Sequence, residues 1–370
     1  MKIKAITEKI EEMVPLKLAQ GWDNVGFLVG DAKGDVKKIL LTIDVTGEVV
    51  KEAKRLKADL ILSYHPVIWD GLKTVTAAGP GSEVYELIRA GISVFSIHTA
   101  LDSVAGGVND GLAEIVGIVE AEPIGDYVDN PAGDNYKLVV FVPTESAAKV
   151  SNAIFAAGAG TIGTYSNCGF SSEGMGSFLP LQGSKPAVGK KGKLEKVSEV
   201  RFETIVPEGK LEAVVSAMKK AHPYETPAYD IIKLYGSQSK YGLGRIGKLA
   251  QPASVKKIIE KIKRHTGAKV FGIVGDEKRL VKKAAVCAGS CGKIINSVIT
   301  AKCDLYVTGE LKHHQALAAQ QAGLTCICLS HTVSERFILR KLAKQLRKEL
   351  KQVKIQISKK DSDPFNWKKL

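Results

Sequence analysis

The sequence has no long apolar run and no recognisable targeting segment, and these absences exclude whole classes of protein. No stretch approaches the roughly 18 consecutive apolar residues of a membrane-spanning helix. The first residues lack the apolar core of a secretory signal, and Glu8, Glu11 and Glu12 argue against an acid-poor transit peptide. We therefore expect a cytoplasmic protein that has no membrane partner.

Cysteine motifs are also lacking. The six cysteines include no Cys-x-x-Cys pair, so the four well-spaced ligands of a zinc finger are missing. In a chain without a secretory signal, buried reduced thiols are expected rather than a disulfide framework.

Excess positive charge is present, but it is concentrated at one end. The net charge is +14, and the residues from Arg336 onward contain 12 Lys or Arg against 3 Asp or Glu. These basic residues recur at helical spacing around apolar ones, which fits either the solvated face of a C-terminal helix or a docking face for nucleic acid. Because no aromatic residue is interleaved with the basic ones between Arg340 and Lys360, we favour the solvated face and do not expect a nucleic-acid partner.

The first 127 residues alternate between helical and strand patterns. Apolar runs at 26–29, 39–43, 59–63 and 92–97 predict strands, with amphipathic helices between them. Strands that are apolar on both faces and alternate with helices indicate an α/β unit with a largely parallel sheet.

The rest of the chain reads as an insertion followed by a second α/β segment. Loops at 125–135 and 236–247, rich in Gly and polar residues, flank a module at 136–234 whose strand and helix order predicts a ferredoxin-like α+β domain. The α/β pattern resumes over 240–370. The predicted fold is thus a two-lobed α/β domain, lobe A at 1–127 and lobe B at 240–370, with an inserted ferredoxin-like domain.

Three predicted strands are each followed by metal-ligand residue types. His65 comes two residues after one strand, and His98 with Asp102 follows the next. His331 with Glu335 follows a third strand that ends at about residue 329. The carboxyl ends of parallel strands form the edge of a sheet where ligands bind, and residues four apart share one helix face.

Mixed histidine and carboxylate ligation suits zinc, manganese or iron better than calcium. A single histidine after a strand is more often a hydrogen-bonded loop residue than a ligand, but three such clusters together favour a metal site. His313 and His314 either line the same edge or lie exposed at a helix start. The turn at 289–293 is a weak candidate for anion binding.

Taken together, these residues resemble the NGG-interacting-factor-like family, whose bacterial members are often labelled GTP cyclohydrolase 1 type 2 homologs. The resemblance covers nearly the whole chain. Its marks are the segments at 22–26 (WDNVG), 62–66 (LSYHP), 98–102 (HTALD), 308–314 (TGELKHH) and 330–335 (SHTVSE).

The resemblance implies two α/β lobes around a dinuclear metal site, assembled as a ring-shaped homo-hexamer. It places ligands at His65, Asp102, His331 and Glu335. The middle module resembles the CutA-like and PII-like domains of longer family members through the segment 221–225 (AHPYE), where His222 and Glu225 either bind a metal or lie at a subunit interface.

One residue departs from the pattern of many bacterial members, which have two adjacent histidines before the proline. Here Tyr64 precedes His65. A phenol stays protonated at neutral pH unless a metal lowers its pKa. Tyr64 therefore leaves one metal with an open position, binds as phenolate, or leaves a single metal, and His98 becomes a substitute ligand or a residue that orients one.

Three functions remain open. The first is a metal-dependent hydrolase acting on a nucleotide or phosphorylated small molecule, in which one or two divalent ions activate water. The second is a non-catalytic regulatory or scaffold protein that binds metal, and the third, least favoured, is nucleic-acid binding. A family label alone is a weak basis for assigning a reaction.

Overall fold

The computed structural model describes residues 1–128, 133–234 and 241–367. Contacts between Cα atoms divide the chain into two compact units. Unit 1 comprises Met1–Asp129 and Ser239–Leu370, and unit 2 comprises Asn130–Gln238. The two predicted boundary loops lie partly outside the described residues.

The helices of the described residues are α1 (Ile3–Met13), α2 (Gly47–Leu56), α3 (Ser82–Ala90), α4 (His98–Ser103), α5 (Val108–Val116), α6 (Ala147–Ala156), α7 (Leu211–Ala221), α8 (Val255–Thr266), α9 (Ile295–Thr300), α10 (His313–Gln321), α11 (His331–Arg336) and α12 (Ile338–Glu349). The strands are β1 (Gly26–Val29), β2 (Lys38–Thr42), β3 (Leu60–Ser63), β4 (Ser93–Ser96), β5 (Ile118–Tyr127), β6 (Asn135–Pro143), β7 (Gly169–Phe178), β8 (Glu195–Pro207), β9 (Tyr229–Lys233), β10 (Gly242–Ser254), β11 (Gly272–Val274), β12 (Leu280–Cys287), β13 (Leu305–Thr308), β14 (Thr325–Cys328) and β15 (Lys354–Ile357).

Unit 1 contains two sheets. The first has the order β1-β4-β3-β2-β15, and the second has the order β11-β14-β13-β12-β10-β5. In the first sheet β4, β3, β2 and β15 run parallel, whereas β1 is antiparallel to β4. In the second, only β12, β13 and β14 run parallel to one another. The α/β character predicted from the sequence is confirmed.

The two sheets of unit 1 share one hydrophobic core. It joins residues of the first sheet, such as Leu62 and Phe95, to residues of the second, such as Val307 and Ile327. Strands β3, β4 and β13 are buried along their whole length, which explains their continuous apolar runs. The two sheets therefore pack against one another through this core.

Strand pairing crosses the predicted lobe ranges. β5 falls within 1–127 but pairs with β10 in the second sheet, and β15 falls within 240–370 but pairs with β2 in the first sheet. The largely parallel sheet expected for the first lobe holds for β2, β3 and β4, which run parallel together with β15. The lobe bounds themselves remain a prediction.

The predicted basic C-terminal helix is two helices, α11 and α12, with Phe337 between them. The apolar side of α12 is buried, as its spacing predicts. Some of the basic side chains have structural partners: Arg336 donates to the carbonyl of Ser358, and Arg347 donates to that of Ile355. Among the described residues, no helix is both long and apolar enough to span a membrane.

Unit 2 contains one antiparallel sheet of order β7-β8-β6-β9 together with α6 and α7. Its core includes Val140, Ile154, Phe202, Val214 and Met218. The polar, Gly- and Ser-rich segment up to Phe178, which lacks the apolar pattern of a buried strand, forms β7 and pairs along its length with β8.

Candidate metal centre

The predicted ligands all lie just past the carboxyl ends of strands in unit 1. His65 follows β3 by two residues, and His98 and Asp102 lie on the short helix α4 directly after β4. His331 and Glu335 lie on α11, which follows β14. Backbone hydrogen bonds continue past the strand ends, since the amide of His65 donates to the carbonyl of Ile43 and that of His98 to the carbonyl of Tyr64.

Three of these side chains form a compact group. Donor atoms of His65, His331 and Glu335 all lie within 4.8 Å of one another. The Nε2 atom of His65 is 3.5 Å from Oε2 of Glu335, and the Nε2 atom of His331 is 3.2 Å from Oε1 of the same carboxyl. Two imidazoles and one carboxylate at such spacing can hold a metal ion.

The outer nitrogen of each histidine in the group is held by a carboxylate. Nδ1 of His65 lies 2.8 Å from Oδ1 of Asp44, and Nδ1 of His331 lies 2.9 Å from Oε1 of Glu310. A carboxylate accepts the Nδ1 proton, so the neutral ring keeps its lone pair on Nε2. Both Nε2 lone pairs then face the oxygens of Glu335, and two facing acceptors require a cation or a proton between them.

In the absence of a metal, protons can occupy the space between these acceptors. The raised pKa values of both histidines show that the group favours positive charge. Burial lowers the pKa of His331, but hydrogen bonds to Glu310 and Glu335 outweigh it and raise that pKa to about 11. The pKa of His65 is also raised, because Asp44 and Glu335 together outweigh its burial. A divalent ion satisfies the same demand for positive charge.

The surroundings of Glu335 favour the binding of a cation. Its Oε2 atom is buried and has no hydrogen-bond partner, which is costly for a carboxylate unless something binds it. Gly289 leaves room beside it, because a Cβ at that position would stand 2.6 Å from Oε1 of Glu335. The residues present therefore fit a metal ion.

Asp102 lies outside this three-residue group and is engaged by Tyr64. The buried Tyr64 hydroxyl donates to Oδ1 of Asp102. Burial raises the pKa of Asp102 to about 7, although the charges of His98 and His65 act in the opposite direction. Burial and the charges of Asp102 and Glu335 raise the pKa of Tyr64 well above its usual value. Tyr64 is thus a neutral hydrogen-bond donor to Asp102 here.

His98 stands beside the group and has its own carboxylate. Its ring centroid is 5.0 Å from that of His65, and its Nδ1 lies 2.8 Å from Oδ1 of Asp23. The other oxygen of Asp23 accepts from the backbone amide of Thr99. His98 is therefore held in the same manner as the two histidines of the group.

Sequence reasoning did not assign roles to the three carboxylates that hold these histidines. Asp44, Glu310 and Asp23 are 21, 21 and 75 residues from their partners. Asp23 and Glu310 do lie within the family segments singled out from the sequence. A histidine that binds a metal usually donates its second N–H to a carboxylate. This rule is the one indication in the sequence that such partners should exist.

The other candidates from the sequence lie elsewhere. His313 and His314 are exposed at the start of α10 and do not belong to the group. In the turn at 289–293, the amide of Gly289 donates to the hydroxyl of Ser334, so this turn packs against α11 and its first amide is not free for an anion.

A cavity of about 1200 Å³ opens beside the group within unit 1. Asp44, His65, Glu310 and His331 contribute to its wall. Ser330, directly before His331, has φ 73° and ψ 154°, a conformation that costs a non-glycine residue about 1–3 kcal/mol. Such strain is typical of functional sites, where the surrounding structure sustains it.

Comparison with known proteins identifies the family. The model of the DUF34/NIF3 (NGG1p interacting factor 3) family matches residues 1–364. The chain belongs to the DUF34/NIF3 family. Among its relatives is a "GTP cyclohydrolase 1 type 2 homolog" of Bacillus subtilis, 37% identical over 366 residues, or 98% of this chain and 97% of the relative. A protein of the same description from Mycobacterium tuberculosis is 37% identical over 341 residues, or 90% of this chain and 88% of the relative.

Solved structures agree with the family assignment. A Bacillus cereus protein related to NIF3 is 36% identical and has a TM-score of 0.75, with 98% of both chains covered. A Staphylococcus aureus protein is 28% identical and has a TM-score of 0.81, with 99% of both chains covered. The mixed α/β architecture of this DUF34/NIF3 member is therefore shared with experimentally determined structures.

Proposed function

We propose that unit 1 binds a divalent metal ion through His65, His331 and Glu335 with Asp102 nearby as a further ligand, and that the protein is a metal-dependent hydrolase. The observation that carries the proposal is the pair of Nε2 atoms facing one buried carboxylate, one of whose oxygens has no partner. A cation bound here would remove the repulsion between the Nε2 lone pairs and the carboxylate oxygens. It would also give the unpartnered Oε2 atom of Glu335 a partner.

Zinc, manganese and iron suit this donor set. When bound, such an ion supplies a Lewis acid and lowers the pKa of a coordinated water. The chain's own contribution is to orient the ligands: Asp44 and Glu310 hold the two imidazoles, and Gly289 leaves space for Glu335.

The number of ions that we propose depends on Tyr64, which weakens a second metal position. We propose that the three-residue group would hold one principal ion and that Asp102 and His98 would be ligands of a second, more weakly bound ion. The hydrogen bond from Tyr64 occupies one oxygen of Asp102, and a neutral phenol replaces the second histidine found in many bacterial members. Both effects weaken that second position.

The substrate class proposed is a nucleotide or another phosphorylated small molecule. The relatives in Bacillus subtilis and Mycobacterium tuberculosis are named GTP cyclohydrolase 1 type 2 homologs, and the cavity beside the group is large enough for a nucleotide. A metal ion on the cavity wall suits an anionic ligand because it neutralises the acidic cluster there.

Unit 2 is proposed to be an inserted ferredoxin-like domain of the CutA-like and PII-like type, with bounds near 136–234, between lobes at 1–127 and 240–370. Its strand order supports this. His222 is a poor metal ligand here, since Nε2 pairs with the Phe141 carbonyl and Nδ1 accepts from the Tyr224 amide. We also propose assembly as a homo-hexamer.

One observation favours the second candidate, a non-catalytic regulatory or scaffold protein. Asp23, Asp44 and Glu310 are each paired with a histidine, and Asp102 with Tyr64. Among the described carboxylates of the site, none of these four stands free as a general base. The metal-bound site would then serve to hold or sense an ion.

Turnover assays separate the two candidates. The protein is stripped with a chelator, reloaded with zinc, manganese or iron, and assayed against nucleoside triphosphates and phosphomonoesters. The hydrolase proposal predicts turnover that appears on reloading and is lost in Glu335→Gln. Metal uptake without turnover of any of these substrates would favour the scaffold candidate.

A further inference from the structure

We infer that the cavity beside the metal group contains a stacking site for a purine-sized heteroaromatic ring, formed by Trp69 and Trp367. This inference rests on the proposed function and specifies the class of ligand at the same site. The cavity wall carries His65 and His331 of the metal group and also four aromatic side chains, Trp69, Phe271, Phe365 and Trp367.

More than half of the surface of Trp69, Phe365 and Trp367 is exposed in this cavity. The chain has only three tryptophans, and two of them line this cavity with 54% and 55% of their surface exposed, while Phe365 is 67% exposed. Large aromatic side chains contribute most when buried against another surface. A flat ring entering the cavity would cover them.

Trp69 lies within reach of the metal group. Its ring centroid is 5.6 Å from that of His65 and 5.1 Å from that of His98. A ligand whose ring stacks on Trp69 can therefore direct a short polar arm toward the donor atoms. The combination of an aromatic wall and a cation site fits a ligand with a flat apolar ring and an anionic group.

Trp367 is held in place by a carboxylate that also supports the metal group. Oδ2 of Asp363 accepts from Nε1 of Trp367 at 3.2 Å and from the hydroxyl of Ser330 at 2.8 Å. Ser330 is the strained residue directly before His331. Asp363 thus connects Trp367 to the residue that precedes the metal-binding helix α11.

The size and charge of the cavity further restrict the class of ligand that it can bind. At about 1200 Å³ it exceeds the roughly 300–1000 Å³ of typical small-molecule sites. Lys269 also lines it and offers a positive charge to an anionic group, but Asp44, Glu310 and Asp363 lie on the same wall. The metal ion of the proposed function therefore supplies the remaining positive charge that an anionic group needs. A nucleoside phosphate meets these features, because its base can stack on the aromatic rings and its phosphates can approach the cations.

The test measures binding of three probes by calorimetry: GTP, which has both ring and phosphates, guanosine, which has only the ring, and inorganic triphosphate. Each is titrated into the full chain, metal-loaded and metal-free. We expect Trp69→Leu to weaken GTP and guanosine binding by about 5- to 150-fold, the loss that accompanies removal of one stacking ring. Triphosphate binding should not change, and Trp69→Phe should restore most of the affinity.

Phe170→Leu is the control, because Phe170 is an aromatic residue of unit 2 that is 62% exposed and does not line the cavity. The guanosine affinity of this variant should equal that of the wild type. Absence of guanosine binding, or equal loss of triphosphate and guanosine affinity in Trp69→Leu, would overturn the inference. So would a subunit dissociation in Trp69→Leu with unchanged guanosine affinity, since the ring would then belong to an interface. Guanosine binding to the metal-free protein keeps this test separate from a failure of the metal proposal.

Discussion

Replacing Asp44 tests whether the histidine group binds metal in the way proposed. Asp44 accepts from Nδ1 of His65 at 2.8 Å, and its side chain is 37% exposed. Loss of such a carboxylate partner typically costs about 10- to 100-fold in metal affinity. Since Asp44 is partly exposed, solvent screens its charge, and we expect Asp44→Asn to weaken binding about tenfold, or about 1.4 kcal/mol.

Asp44→Ala should weaken binding further, because the amide of Asn can still accept the Nδ1 proton whereas Ala cannot. Affinity is measured by competition with a chromophoric chelator, with circular dichroism to check folding. Asp23→Asn is the matched control, since Asp23 holds His98, which lies outside the three-residue group. If Asp23→Asn lost the principal ion while both Asp44 variants kept wild-type affinity, the metal would be bound around His98 and our assignment would be refuted.

Three further predictions concern other parts of the chain. Tyr64→His should raise the metal content toward two ions per chain, because it removes the hydrogen bond to Asp102 and adds a ligand; elemental analysis measures this. Arg245→Met should lower the free energy of unfolding by about 3–5 kcal/mol, since buried Arg245 pairs with both carboxyl oxygens of Asp110; chemical denaturation measures the loss. Burial lowers the pKa of His222, so its unfolded form binds the proton more readily and stability should fall as pH drops below about 6.5; thermal melts of wild type and His222→Gln between pH 7.5 and 5 compare the slopes.

Each of these has a clear contrary outcome. An unchanged metal content in Tyr64→His would show that the phenol does not limit the second position. A loss under about 1 kcal/mol in Arg245→Met would mean that the ion pair gives no more than a surface pair does. Identical pH slopes for wild type and His222→Gln would show that His222 does not couple to folding.

The candidate ligands could be predicted because their signal is local. Each follows a strand whose apolar run is recognisable in the sequence, and the carboxyl ends of parallel strands are where ligands bind. The sequence does not show that β3 and β4 belong to one sheet and β14 to another, so the meeting of these strand ends from two sheets comes from the tertiary fold. The partners Asp44 and Glu310 could not be predicted with the same ease, because they meet His65 and His331 only through the fold. The engagement of Asp102 by Tyr64 is likewise a tertiary contact between residues 38 positions apart.

Strands β7, β10 and β15 are hard to predict from the sequence, and each has its own physical reason. β7 is polar and exposed for most of its length, so pairing with β8, not burial, determines its conformation. β10 contains glycines at 242, 244 and 247, where a Cβ would approach neighbouring atoms of β5 to within about 3 Å. β15 pairs with β2 from the opposite end of the chain, a partner that no local sequence pattern reveals.

The most direct test of the central claim is the metal content of the purified protein, measured per chain by mass spectrometry of the elements. We predict at least one bound zinc, manganese or iron ion in the wild type, its loss in His331→Ala, and a reduced content in Asp102→Ala, with all three proteins folded. Unchanged metal content in both variants, or a wild type that takes up no divalent ion after loading, would contradict the account.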